Sequence, residues 1–381
     1  MTTALSRAAL GAALALAGTA YAQELPPNLT LTAYDTGSSG FNMAVAIGKA
    51  MKDKHGTDVR VLPAGNDVAR LAPLKGGRAQ ASAMGIGSYF AHEGVFEFAV
   101  KEWGPQPLRL MLASSACNAI SLGVAKDTGV KEIKDLKGKR IGMVVGSPAL
   151  NQNAFAILAF GNLTRNDVKL VEFSSYGAMW KGILNNEVDA AIASTISGQA
   201  KEAEASPRGL VYPPTPHGDK AGWDRLHKFG PYYARHTATC GVGITKDNPV
   251  ELPNYPYPIF VAYASQPAEV VHGIVKSMIV NYDLYKDGAP GADGFELSRQ
   301  NFAWVLPLHD GTVKAIKEAG AWSAGIEAHQ QMMVKRQGVL AGAWAAYLKT
   351  SPSADDEAFR KGWMSARADA LGKAGLDVIF Q

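Results

Sequence analysis

Leu and Thr alternate along residues 29–34, which is the period of a strand. Soon after, Met43, Ala44, Ile47 and Met51 recur at the spacing of one helix face. Between the two patterns stands Thr36-Gly37-Ser38-Ser39-Gly40-Phe41-Asn42, a small-residue turn that opens the helix. Such a turn directs backbone N–H groups and the positive end of the helix dipole at one spot, and that spot suits a carboxylate or phosphate. The same placement also describes ordinary helix capping.

The element recurs. A shift of 109 residues takes Gly37 to Gly146, Ser38 to Ser147 and Asn42 to Asn151. The register continues without a gap: Val59 and Val61 fall on Val168 and Leu170, and residues 74–81 fall on 183–190. Each copy reads strand, Gly-Ser loop, helix, strand, helix, turn, strand. The repeat predicts two similar α/β lobes, each presenting a loop and a helix N-terminus to the other across a cleft.

The patterning elsewhere fills in the two lobes. Residues 84–88 form another small-residue loop at a strand end, the position at which open α/β sheets bind ligands. Residues 108–113 and 119–124 are strand-like, the second crossing between lobes, and Gly138 stops a short amphipathic turn before a further strand. Residues 207–230, rich in Pro, Gly and His, read as loop, and 238–245 as a strand. A stiff connector at 253–258 leads into a return strand at 259–263, so two crossing strands would form a hinge. Residues 266–285 predict one amphipathic helix. Past Ser323, residues 326–349 and a segment from Ser353 to about 371 predict an extra helical hairpin, packed on a lobe or serving as a dimer interface.

The N-terminus reads as an export signal: Arg7, an apolar core at 8–18 and the small-residue site Ala20-Tyr21-Ala22, which leaves Gln23 first. No stretch reaches the length of a membrane span, and no Cys follows the cleavage site to carry a lipid. A soluble, periplasmic mature protein is therefore expected. The net charge of +4 is scattered, without a basic stripe, which argues against nucleic acid. Cys117 and Cys240 form either one disulfide or two buried thiols, and neither has the close Cys or His neighbour of a zinc site. Gly-x-Ser-x-Gly, Walker, Gly-x-Gly-x-x-Gly and His-Glu-x-x-His patterns are all missing, and the eight histidines are dispersed. No enzyme activity, metal or cofactor is expected.

Several motifs carry a resemblance. The 36–42 loop, the paired elements Gly77-Arg78-Ala79-Gln80-Ala81 and Glu187-Val188-Asp189-Ala190-Ala191, and Pro307-Leu308-His309-Asp310-Gly311-Thr312 with Glu318-Ala319-Gly320-Ala321-Trp322 are similar to the TAXI-type solute receptors of TRAP transporters. The match spans residues 28–323. The first paired element lacks that family's acidic residues and the second lacks its Gly. The resemblance implies a fold like that of type II periplasmic binding proteins, with two α/β lobes on a strand hinge. Residues 1–22 would be the signal peptide, 23–123 with 259–323 lobe I, 124–258 lobe II, and 324–381 a helical extension on which the resemblance is silent.

Ligand-binding candidates follow from the loops at strand ends: Thr36, Ser38, Ser39, Phe41, Asn42, Gly65, Asn66 and Ser88 in one lobe, and Ser147, Asn151, Tyr176, Ser194, Thr195 and Arg235 in the other. Trp180 offers an aromatic wall, and Arg70 a second cation for a bidentate carboxylate contact. Together they predict a receptor that captures a small organic anion in the interlobe cleft; the resemblance implies a carboxylate such as a dicarboxylate or amino acid, and delivery to an ion-gradient-driven TRAP transporter with separate membrane subunits. An ABC-importer receptor of the same architecture is the alternative; a sensor module and an exported enzyme stand further back.

Overall fold

The computed structural model describes residues 25–380. The export signal at 1–22 lies outside the described residues.

Lobe I opens with β1 (Asn28–Ala33), α1 (Ser39–His55), β2 (Asp58–Pro63), α2 (Asp67–Lys75), β3 (Ala81–Met84), α3 (Gly87–Glu93) and β4 (Leu108–Ala113). Lobe II follows: β5 (Ile120–Ala125), β6 (Arg140–Val144), α4 (Pro148–Phe160), β7 (Lys169–Phe173), α5 (Tyr176–Leu184), β8 (Ala190–Ser194), α6 (Gly198–Ala205), β9 (Leu210–Val211), α7 (Lys220–Phe229), β10 (Ala234–Ala238) and β11 (Val250–Asn254). The chain then returns to lobe I with β12 (Ile259–Tyr263), α8 (Ala268–Val280), α9 (Tyr282–Tyr285) and α10 (Asp310–Glu318), and continues into α11 (Ala324–Lys349) and α12 (Asp356–Lys373).

Each lobe carries one mixed five-stranded sheet, in the order β2-β1-β3-β12-β4 in lobe I and β7-β6-β8-β5-β9 in lobe II. The order is the same in both halves, with one antiparallel strand inserted after three parallel ones. The 109-residue register is visible in the coordinates: α1 and α4 begin at 39 and 148, α2 and α5 at 67 and 176, β3 and β8 at 81 and 190. Strands β3, β5 and β8 are buried along their whole length, as expected of strands covered on both faces.

Two extended segments cross between the lobes. Residues 114–119 run from β4 to β5, and 255–258 from β11 to β12; they are tied by Tyr257 N to Ser114 O (2.7 Å) and Ser114 N to Pro258 O (3.0 Å). Strand β5 lies wholly in the sheet of lobe II, so the crossing precedes Ile120 instead of running through 119–124. Beside this crossing, Cys117 and Cys240 form a disulfide with Cα atoms 5.4 Å apart.

Three further expectations are corrected by the structure. Residues 239–245 form a turn, because Gly241 and Gly243 take φ of 138° and 66° and Cys240 is held by the disulfide; the strand is β10, just upstream. The stretch 207–230 contains helix α7, whose first turn is capped by Asp219 and whose Trp223 and Leu226 are buried. The predicted helix 266–285 breaks at Asn281 into α8 and α9.

The helical extension packs on lobe I. Arg336 of α11 and Arg367 of α12 both reach Glu93, the last residue of α3, whose side chain has no exposure. Trp363 donates from its indole N–H to Gly94 O (2.7 Å). A buried carboxylate needs such partners, since an unpaired charge inside a protein is costly.

Candidate functional site: the interlobe cavity

The lobes meet across a cleft, and lobe I oxygens accept from the helix N-termini of lobe II. Asp67 Oδ2 accepts from Ala149 N (2.8 Å) and from the Ser147 hydroxyl (3.2 Å) at the start of α4. Asp35 Oδ2 accepts from Gly177 N (2.7 Å) at the start of α5. At α6, Gly198 N donates to Gly37 O (3.0 Å) and Gln199 Nε2 to Thr36 O (3.0 Å). Tyr176 N to Gly65 O (2.9 Å) and Val68 N to Gly146 O (3.2 Å) add backbone contacts. The positive ends of three helices thus meet carboxylates or carbonyls of the opposite lobe, as their dipoles favour.

Behind this seam, at the hinge, lies a narrow cavity of about 20 Å³, enough for about one water molecule with the lobes in this arrangement. Tyr34 and Ser39 wall it from lobe I, Tyr255 and Tyr257 from the crossing segment, and Asn153, Tyr176 and Ser194 from lobe II; Ile120, Leu150, Ile192 and Ala193 supply apolar surface. Rigid elements position these groups. Ser39 is the first residue of α1, Tyr176 the first of α5, and Ser194 the last of β8. Asn153, on α4, accepts from the Tyr232 hydroxyl (2.7 Å) and donates to the Tyr255 hydroxyl (3.1 Å), which fixes both rings. Ser194 Oγ accepts from Asn118 (3.0 Å), and the buried Ser39 hydroxyl makes no well-formed hydrogen bond.

No charged side chain lines the cavity. Burial raises the Tyr34, Tyr176 and Tyr255 hydroxyls well above their ordinary range and Tyr257 to about 12. All four stay protonated at neutral pH and act as neutral hydroxyl groups. The nearest fixed charges form a buried pair: Arg70 donates to Asp67 Oδ1 (2.5 Å) and to Ala64 O (3.0 Å), and its guanidinium lies 3.4 Å from the centre of the Tyr34 ring. The pair is neutral as a unit, and Asp67 Oδ1 also accepts from the Tyr34 hydroxyl (3.5 Å), so it braces that wall without lending it net charge.

Of the sequence candidates, Ser39, Tyr176 and Ser194 line the cavity. Thr36, Gly65 and Ser147 lie in the seam. Ser38 caps α1 through Phe41 N, and Asn66 caps α2 through Ala69 N. Asn42 bonds Gly37 O, and Asn151 bonds both backbone groups of Val144, so these two hold their loops in shape. Ser88 donates to Gly85 O, and Thr195 braces the hinge by donating to Cys240 O and accepting from Ala119 N. Phe41 packs on an outer groove with Val45 and Leu284. Arg235 is exposed and sits over Trp223, away from the cavity. Trp180 is buried, its indole N–H bonded to Ile192 O, and it also borders an outer crevice beside Asp35.

Sequence reasoning missed Asp35, Asp67, Asn153, Tyr34, Tyr255 and Tyr257. Asp67 had an available signal: it is the 109-residue counterpart of Tyr176, and both open the second helix of their repeat. The connector tyrosines carried no pattern, since their role depends on the crossing of two segments distant in sequence.

Two α/β lobes joined by two crossing segments, with a cavity between them, make the type II periplasmic-binding-protein fold expected from the sequence. Residues 31–320 match the model of the NMT1-like family, and the chain belongs to that family. No curated protein sequence matches the chain. Among solved structures, the chain is similar to the alkanesulfonate-binding protein SsuA from Xanthomonas axonopodis pv. citri bound to MOPS, at 15% identity and a TM-score of 0.41 over 81% of this chain and 95% of that one. It is also similar to the periplasmic aliphatic sulphonate binding protein SsuA from Escherichia coli, at 13% identity and 0.42 over 93% and 92%. A third similar structure is an ancestral arginine-binding protein bound to arginine, at 15% identity and 0.40 over 71% and 96%.

Proposed function

We propose that this chain is a periplasmic receptor of the TAXI type, which encloses a small organic anion between its lobes and presents it to the membrane subunits of an ion-gradient-driven TRAP transporter. The carrying observation is the walled cavity at the hinge, sealed by hydrogen bonds from both lobes and lined with protonated tyrosine and serine hydroxyls. With the lobes parted to enlarge this space, a carboxylate placed there would accept from hydroxyl donors sheltered from bulk water, where each such bond is stronger than in water. The apolar wall of Ile120, Leu150 and Ile192 suits a short aliphatic body. Closure by hinge motion would couple ligand capture to a changed outer surface for the transporter to read.

Among the described residues no helix is long and apolar enough to cross a membrane, consistent with delivery to separate membrane subunits. A receptor for an ATP-driven importer would use the same cleft; a gene for an ATPase beside this one, in place of multi-span membrane subunits, distinguishes that partner. The direct test is a thermal-shift screen with dicarboxylates and amino acids. The proposal expects a subset of small carboxylates to raise the unfolding temperature, because a ligand bound only to the native state stabilises it by mass action. Stabilisation by none of them would reject the assignment.

A further inference from the structure

The helical extension is joined to the cavity by two chains of contact. The first begins at Phe380, whose ring packs edge-on against Phe90 (centroids 5.2 Å) and Phe96 (5.5 Å). Phe90 in turn packs on Tyr232 of lobe II (5.8 Å), and the Tyr232 hydroxyl donates to the cavity residue Asn153. The second begins at His329 of α11, hydrogen-bonded to Trp304 O (2.5 Å); the Trp304 ring stacks on the cavity residue Tyr255 at 6.3 Å and 21°. Asn153 and Tyr255 are themselves bonded at 3.1 Å, so the two chains converge on one pair.

The backbone at the start of the first chain is held in place. Phe380 and Phe96 both take positive φ, 61° and 56°, a left-handed conformation that a bulky residue keeps only where its surroundings over-determine it. The surroundings do so. Arg367 donates to Phe380 O (3.1 Å) and Arg336 to Asp377 O (2.8 Å), while both arginines are anchored on the buried Glu93. The tail is thereby pinned against α3 by the residues that dock the hairpin.

We infer that the hairpin and its tail are a positioning element of the binding cavity: Phe380, through Phe90 and Tyr232, and His329, through Trp304, hold Asn153 and Tyr255 in the geometry that receives the ligand. This rests on the cavity being the ligand site. A prop on lobe I that reaches Tyr232 and Asn153 of lobe II also favours the closed arrangement of the lobes, because the Phe90–Tyr232 contact spans them.

The test uses the full chain with Phe380→Ala, and Phe380→Leu as the conservative variant. Hydrogen–deuterium exchange needs no ligand. Phe380→Ala should speed exchange in peptides covering α4 and residues 230–234 and 254–258, leave α8 and α10 unchanged, and be partly reversed by Phe380→Leu. Change confined to α3 and α12, with the cavity peptides at wild-type rates, would overturn the inference. Titration with L-glutamate and succinate as probes is the second arm, and there Phe380→Ala should weaken a probe that binds wild type roughly five- to tenfold. Faster exchange at the cavity peptides with no binding of either probe to wild type would count against the assigned ligand class and leave the positioning role standing. Undiminished affinity alongside faster exchange would overturn the positioning role.

Discussion

Asp67 Oδ2 of lobe I lies 2.8 Å from the backbone N of Ala149 in lobe II, at the N-terminus of a helix opened by Ser147. The same carboxylate pairs with Arg70, and neither side chain has any exposure. The anion that the second Gly-Ser loop is shaped to receive is thus supplied by the protein itself. Under the proposed function, the external ligand then occupies the neighbouring tyrosine-lined cavity and the Asp67 contact is part of lobe closure.

Removing this charge should be expensive. Asp67→Asn leaves Arg70 buried without its partner, a change that typically costs about 3–5 kcal/mol. Ser147→Ala removes one neutral donor to the same oxygen and should cost only about 1 kcal/mol. Urea unfolding of the two variants checks the order; equal effects would mean that Arg70 is satisfied by other means.

Gly65 is a second contact on which closure depends. A methyl group added there would sit 2.4 Å from Ser175 Cβ across the cleft, inside any real contact distance. Gly65→Ala should therefore hold the lobes apart while each lobe folds normally. Small-angle scattering should show a larger radius of gyration, and ligand affinity should fall by roughly tenfold or more, the equivalent of about 1.4 kcal/mol. A variant as compact as wild type would remove this role from Gly65.

The disulfide joins positions 123 residues apart, and a cross-link closing so long a loop restricts the unfolded chain strongly. Reduction should lower unfolding free energy by about 2–5 kcal/mol. Urea curves with and without dithiothreitol measure it, and superimposable curves would contradict the expectation.

Acid should weaken the docking of the helical extension. Burial lowers the His92 imidazole to about 4, opposed by Glu93 and reinforced by Arg336, Arg109 and Arg367. Burial pushes the Glu93 carboxyl up, but the hydrogen bond from Arg336 and the charge of Arg367 outweigh it and hold the group below its usual range. Both groups bind protons less readily folded than unfolded. Their stabilisation is therefore present above the unfolded values and is lost as pH falls, from about 6.5 towards 4 for His92 and below about 4.3 for Glu93. His92→Gln should flatten the upper part of that decline in pH-dependent urea unfolding. An unchanged slope between about pH 6.5 and 4.3 would show that His92 does not titrate in this window.

The parts of the molecule that could be read from sequence are those built from local pattern. The 109-residue register gave α1 with α4, α2 with α5 and β3 with β8, because each lobe repeats the same sequence of turns and caps. Helix α11 was legible from its apolar spacing. Helix α7 was not, since Pro, Gly and His around it masked a single buried stripe of Trp223 and Leu226. In the cavity, Ser39, Tyr176 and Ser194 were accessible as strand-end or helix-start residues. Tyr255 and Tyr257 were not, because only the pairing of 114–119 with 255–258 carries them to the cavity. Asp67 and Asp35 act across the cleft, and no local pattern announces a partner in the other lobe.

A co-crystal structure with the carboxylate that most raises the unfolding temperature tests the account at its centre. The account predicts that ligand in the hinge cavity, its carboxylate within hydrogen-bonding distance of the Ser39 hydroxyl and at least one of Tyr176, Tyr255 and Tyr257, with Asp67 still on the α4 N-terminus. Ligand bound in the outer crevice beside Asp35 and Trp180, or on the surface, with the tyrosine cavity unfilled, would contradict it.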